Sequence, residues 1–288
     1  RVSKFMMPIL IVLSVLIAVY SVTRPGAMEG VKYFLVPNVK NFSWMTVVAA
    51  MGQMFYSLSI AMGILITFGS YMKKETSLED STRNVEVFDT AIAIMAGLMI
   101  IPAVFSFSGG DPDTLQAGPA LMFITIPKVF ENMGFGTVVG ILFFLLVLFA
   151  AVTSSIALTE SAVSTFEDEL GWSRRRATVL VGVIMIALGS LSSLGYGPLV
   201  GIKIIGMQFL DFFDFLTNSV MMPIAAMLTS LFVSRIVGMK RMEEEIMHGE
   251  STFRRKKIFI VMIKYLCPVF ALIILISSVA NAFGWIAM

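Results

Sequence analysis

The sequence predicts an all-α, polytopic membrane protein, and three observations carry that expectation. Of its 288 residues 57% are hydrophobic and 14% charged, where a soluble domain carries about 25% charge. Apolar runs recur along the whole chain, and roughly 20 apolar residues suffice to cross a hydrocarbon core of about 30 Å as a helix. The alternating pattern of a transmembrane β-barrel is absent, and backbone polar groups in lipid must be satisfied within their own segment, so helices are the expected state. Mean hydropathy is +0.89.

Seven spans are expected, near 5–23, 46–72, 86–107, 134–165, 177–195, 206–236 and 257–284. The first begins almost at Arg1, with no signal-peptide pattern before it. That start, at a residue other than Met, leads us to expect a chain whose N-terminal part lies elsewhere. The second span reads TVVAAMGQMFYSLSIAMGILITFGSYM and carries Gln53, Ser57 and Ser59 near its middle, with Gly52, Gly63 and Gly69 around them. It is either one tilted helix or two half-helices about an unwound joint. Unwound backbone at membrane depth is tolerated only where it lines a cavity, and broken helices mark binding sites in secondary transporters.

The third span opens with Glu86 and Asp89. Asp89 is either a helix cap at the membrane surface or a carboxylate inside the bilayer, at a cost of about 2.5–3.5 kcal/mol. The connection 108–133 contains an apolar stretch, 119–132, too short to span and broken by Pro127; it is a re-entrant segment or an outer cap.

The fourth span holds FAAVTSSIAL, with Thr153, Ser154 and Ser155 in succession. Ala150, Thr153, Ser154 and Leu158 share one helical face. Either the hydroxyls bond their own helix or a neighbouring one, or two of them and the carbonyl of residue 150 form an oxygen cluster suited to a hard cation. Ser155 points elsewhere. The fifth span adds no polar cluster. The sixth carries Asp211 and Asp214 at its outer end, either interfacial residues or a gate. The seventh contains Cys267, a packing residue.

Several classes are excluded. One cysteine permits no intrachain disulfide framework, and the single His248 lies in a charged loop. No phosphate, dinucleotide, zinc or nucleophile signature appears, so no enzymatic site and no resident catalytic group are expected. Nucleic acid is not an expected partner, because the Lys and Arg residues sit in short loops between apolar runs. With the chain start taken as cytoplasmic, only Arg24, Lys32, Lys40, Lys128 and Lys203 of the 21 Lys and Arg fall on the outer side. The positive-inside bias therefore places the N-terminus and the loops near 75–85, 167–176 and 239–257 in the cytoplasm.

The stretches GQMFYSLSIAMGILITFGSY, AGPALMFITIPKVF, LFAAVTSSIALTESAVSTFEDEL and KYLCPVFALI together resemble the neurotransmitter:sodium symporters, in particular their bacterial amino-acid branch. The resemblance runs in order through essentially the whole chain. It implies a part of the 5+5 inverted-repeat symporter fold covering the family's helices five to eleven. Residues 1–25 would then end the first repeat. Residues 46–236 would form the second, with an extracellular cap helix near 117–132, and 257–288 would be a peripheral span.

The resemblance further implies two sodium sites, each half present here. Ala150, by its carbonyl, with Thr153 and Ser154, matches one; Ser57 and Asp89 match the other. Tyr56, Ser57, Ser59 and Met62 match the joint that holds substrate, Ser154 and Leu158 border it, and Asp214 matches the carboxylate of an external gate. The bulk of Tyr56, Met62 and Leu158 points to a neutral hydrophobic or aromatic amino acid. At the position where chloride-dependent relatives carry a Ser ligand this chain has Ala93, and Asp89 supplies negative charge instead, so transport is expected to be chloride-independent. Ala61 stands where a joint glycine is common.

The implied partners are the amino acid, sodium ions, the lipid bilayer and the family's N-terminal helices, in the plasma (inner) membrane. The competing classes are a channel, which would need a continuous polar lining, and a non-transporting membrane subunit.

Overall fold

All seven expected spans are helical, but one of them is interrupted. The computed structural model describes residues 2–111, 115, 118–132, 134–249 and 252–285. Among these, six helical stretches are long and apolar enough to cross a membrane: Lys4–Val22, Leu78–Ser108, Gly136–Leu170, Arg174–Leu194, Phe209–Ile246 and Lys256–Ala282. The run 46–72 instead forms α3 (Trp44–Ser57) and α4 (Ile64–Ser70), with no helix between them. The other elements are α1 (Val2–Val22), α2 (Ala27–Leu35), α5 (Leu78–Ser108), α6 (Ile126–Glu131), α7 (Gly136–Leu170) and α8 (Arg174–Leu194). They are followed by α9 (Phe209–Asp214), α10 (Met222–Phe232), α11 (Met239–Ile246), α12 (Lys256–Val261) and α13 (Cys267–Ala282).

Wide π turns join several of these without breaking the rod. They cover Leu121–Thr125, Phe215–Met221 and Met262–Leu266, and each ends two residues before a proline: Pro127, Pro223 and Pro268. Proline gives no N–H to the carbonyl four residues back, and its ring pushes that carbonyl aside. Widening the preceding turn is one way a helix absorbs the mismatch. A fourth wide turn, Val233–Gly238, ends at a glycine with φ 85°.

The chain divides into two compact units. The first comprises residues 1–42 and 86–156. Its core joins Leu13, Ile17 and Ala18 of α1, Met99, Ala103 and Val104 of α5, Ile126, Val129 and Phe130 of α6, and Val139, Phe143 and Leu146 of α7. The short segment that sequence left open as re-entrant or cap thus buries one apolar face on this core. Of the region 117–132, residue 117 lies outside the described residues. At the entry to α7, a side chain on Gly136 would overlap the Phe130 carbonyl, so the turn closes only because no Cβ is present.

The second unit comprises residues 43–85 and 157–288. Phe55 of α3 packs with Met222 and Ala226 of α10 and with Ala271 and Ile274 of α13. Ile60, Ala61 and Met62 of the joint lie against the same cluster. Ser230, 2% exposed, donates its hydroxyl to the Ile263 carbonyl at 2.5 Å, within the wide turn of the neighbouring helix.

Helix α5 begins eight residues before the expected start of its span. Glu79 and Asp80 in its first turn complement the positive end of the helix dipole. Asp89 therefore lies about three turns inside the helix, which removes the surface-cap reading of this carboxylate.

Candidate functional site

Helix α3 starts at a reciprocal cap. The Ser43 hydroxyl accepts from the Thr46 N–H, and the Ser43 N–H donates to the Thr46 hydroxyl, both at 3.3 Å. The helix ends at Ser57 because the backbone turns left-handed at alternate positions: φ is 53° at Ser59, 62° at Ala61 and 78° at Gly63. Only glycine takes such values freely; Ser59 and Ala61 hold them at a cost of about 1 kcal/mol or more each. Local bonds keep the joint compact, with Ser59 N–H donating to Tyr56 O and Ile60 N–H to Phe55 O, each at 3.0 Å. A helix broken at membrane depth presents the polar ends of two half-helices to whatever lies beside them. The broken alternative for 46–72 is therefore the observed one.

Helix α4 resumes at Gly63 under tight constraint. A Cβ on Gly63 would lie 2.8 Å from the Ser161 hydroxyl of α7. One turn on, Thr67 donates to Ser161 at 3.4 Å. One further turn on, Tyr71 donates to Glu160 at 2.8 Å, and Glu160 pairs with Arg174 of α8 at 2.5 Å. The Arg174 guanidinium also reaches Glu167 at 3.2 Å. Residues 63, 67 and 71 thus line one face of α4, held to α7 by small or polar groups. Sequence reasoning missed this ladder. The spacing of Gly63, Thr67 and Tyr71 was the available signal.

On α7 the three hydroxyls behave differently. Thr153 donates to the carbonyls of Phe149 (3.1 Å) and Ala150 (2.9 Å). Ser155 donates to Ala151 at 2.8 Å. Ser154, on the face with Ala150 and Leu158, has no hydrogen-bond partner among the described residues and is exposed. Leu158 is 49% exposed on that face. Thr153 thus adopts the self-bonding arrangement yet keeps its oxygen lone pairs, since donation uses only the proton.

The described residues bring some of the expected groups together. Tyr56 and Asp214 line one cavity of about 410 Å³ in the second unit, with Gln53, Asn218, Ser219 and Ser278 as its other polar groups. Val48, Ala49, Gly52, Met222 and Ile274 supply its apolar wall. Asp214 Oδ1 accepts from the Asn218 side-chain amide at 2.5 Å. Met62, partly buried, packs against the cluster of α10 and α13. Ser57 and Asp89 belong to different units, as do Ser154 and Leu158, and each is described within its own unit. Outside the spans, burial first and then the Asp211 carboxylate hold the Tyr196 phenol above its usual range. Among the described residues no cluster of three or more His, Cys, Asp or Glu could hold a metal. The oxygens around Thr153 are neutral hydroxyl and carbonyl groups, the donor type that hard cations accept.

Residues 2–284 match the profile of the Sodium:neurotransmitter symporter family. The chain belongs to that family. That family is one of multi-pass sodium symporters, not of enzymes. An uncharacterized sodium-dependent transporter of Bacillus subtilis, YhdH, is 35% identical over 251 residues, 87% of this chain and 55% of that protein. A second, from Haemophilus influenzae, is 32% identical over 279 residues, 96% of this chain and 60% of that protein. The crystal structure of MhsT in complex with L-phenylalanine superposes with a TM-score of 0.81 at 35% identity, over 96% of this chain and 62% of MhsT. The chain therefore spans 55–62% of the length of these relatives.

Proposed function

We propose that this chain works in a sodium-coupled symporter that imports a neutral, hydrophobic or aromatic amino acid by alternating access, without chloride. The observation that carries the reading is the interrupted helix, α3 and α4 about the left-handed turns at Ser59, Ala61 and Gly63. Broken helices of this kind place half-helix ends at a substrate and its coupling ions. The complex of MhsT with L-phenylalanine, at 35% identity, supports an aromatic amino acid as the substrate to try first.

In this reading Tyr56, Ser57, Ser59 and Met62 surround the substrate, with Ser154 and Leu158 from α7. One sodium ion takes Ser57 and Asp89, and the substrate carboxylate reaches the same ion, which ties binding of one to the other. A second sodium takes the Ala150 carbonyl, Thr153 and Ser154. Because these ions bind one conformation better than the other, they shift the equilibrium by that difference and no more. The methyl of Ala93 offers an anion nothing, and Asp89 supplies the negative charge from the protein. Asp214 serves as the outer gate, and the start of the chain faces the cytoplasm.

The experiment is uptake of labelled L-phenylalanine into proteoliposomes by the intact protein. Sodium is replaced by choline, and chloride separately by gluconate. Uptake lost in choline and kept in gluconate is the expected outcome. Uptake that persists in choline would remove the sodium coupling, and loss in gluconate would remove the chloride independence.

A further inference from the structure

Asp214 carries the outer negative charge of the cavity, yet a carboxylate on an exposed helix end swings freely unless something fixes it. Asn218 fixes it. The segment Phe215–Met221 is wound as a wide turn ahead of Pro223, so residues four and five apart stack along it. Asn218 thereby lies over Asp214, and its side-chain Nδ2 donates to Asp214 Oδ1 at 2.5 Å. Asn218 is half-buried while Asp214 is exposed, and both line the cavity. Thr217, the alternative partner in this turn, is committed elsewhere, donating to the Phe213 carbonyl at 2.7 Å. One carboxylate oxygen is therefore occupied by Asn218, and the other is left to the cavity.

We propose that Asn218 is the positioning residue of the outer gate: its amide pins Asp214 Oδ1, turns the second carboxylate oxygen toward the cavity that both residues line, and so sets how firmly the outer path closes over bound substrate. This rests on the reading of Asp214 as the gate carboxylate. Loss of the amide leaves the carboxylate in place but unaimed. Closure weakens, substrate escapes outward faster, and the inward step is untouched.

The test uses the intact protein in proteoliposomes, with labelled L-phenylalanine as the probe. KM and maximal rate of uptake are measured, together with the rate at which bound label leaves toward the outside. N218A should raise KM and the outward release rate by roughly 10- to 150-fold, the range expected for one hydrogen bond to a charged acceptor, and change the maximal rate by less than about twofold. N218D, nearly the same shape but without the donor and with a like charge beside Asp214, should do more. N218Q, which keeps the amide on a longer arm, should recover part of the loss. In a D214N background, N218A should add almost nothing.

Wild-type KM and release in N218A and N218D would overturn the role of Asn218, as would an effect of N218A undiminished in D214N. If D214N itself left KM and release unchanged, the gate reading of Asp214 would fail first, and that result is distinct from a failure confined to Asn218.

Discussion

Removing the Thr153 hydroxyl isolates the sodium reading from the fold. In Thr153→Ala the hydroxyl that donates to the Phe149 and Ala150 carbonyls disappears. Those carbonyls keep their helical backbone partners, so little is left unsatisfied, and the helix should lose no more than about 1 kcal/mol. A cation using the same oxygen loses a charge-assisted ligand, an interaction of about 1.5–3 kcal/mol. At about 1.4 kcal/mol per tenfold, the sodium concentration for half-maximal uptake should rise roughly 10- to 150-fold. Thr153→Ser, which keeps the oxygen, should stay within a few-fold of wild type. The assay is the sodium dependence of L-phenylalanine uptake by the intact protein, with thermal stability of the purified variant measured alongside. A variant that folds normally and keeps the wild-type sodium curve would refute the assignment of Thr153 as a ligand.

Two further substitutions test the interrupted helix. Gly63→Ala combines a left-handed residue with a contact 2.8 Å from the Ser161 hydroxyl. It should cost about 1–2 kcal/mol from the backbone conformation, with added steric cost from the buried contact, read as a lower melting temperature and weaker substrate binding; wild-type values for both would show that α4 does not need this close approach. Ser43→Ala removes the acceptor that caps α3 and should cost about 0.5–2 kcal/mol of stability with the sodium dependence unchanged; a shift in sodium dependence would show that the outer half-helix does more than frame the joint.

Helix number and rough extent were legible because a span must be long and apolar, a constraint written directly in composition. The boundaries were less so. Helix α5 runs on through LEDSTRNVE because acidic residues in a first turn favour a helix start, although only Leu78 and Val85 of that stretch are apolar, and of the two readings of Asp89 this leaves the one three turns inside the helix. The interruption in 46–72 was only half legible. Gly63 is an obvious place for a left-handed turn, but Ser59 and Ala61 turn left-handed too, against their own preference, and only tertiary packing of Ile60, Ala61 and Met62 on α10 and α13 accounts for that. Asn218 went unnoticed because an asparagine beside an aspartate in an outer helix end has many uses, and it took the wide turn before Pro223 to show which one.

The hydroxyl run on α7 shows why the site resisted a purely sequence-based choice. Self-bonding and cation binding read as alternatives, since a hydroxyl in an apolar helix needs a partner. They are not alternatives for an atom with one proton and two lone pairs. Thr153 gives its proton to the turn below, a bond that restrains its side chain while leaving the oxygen lone pairs unused. A ligand whose geometry is set before the ion arrives loses less side-chain freedom on binding, so the bond that looked like evidence against a sodium ligand is the one that would prepare it. Ser155 makes the same kind of bond to Ala151, but on another face of the helix, away from Ala150, Thr153 and Ser154. What separates the two is the company each oxygen keeps around the helix, which spacing encodes and bonding partners do not.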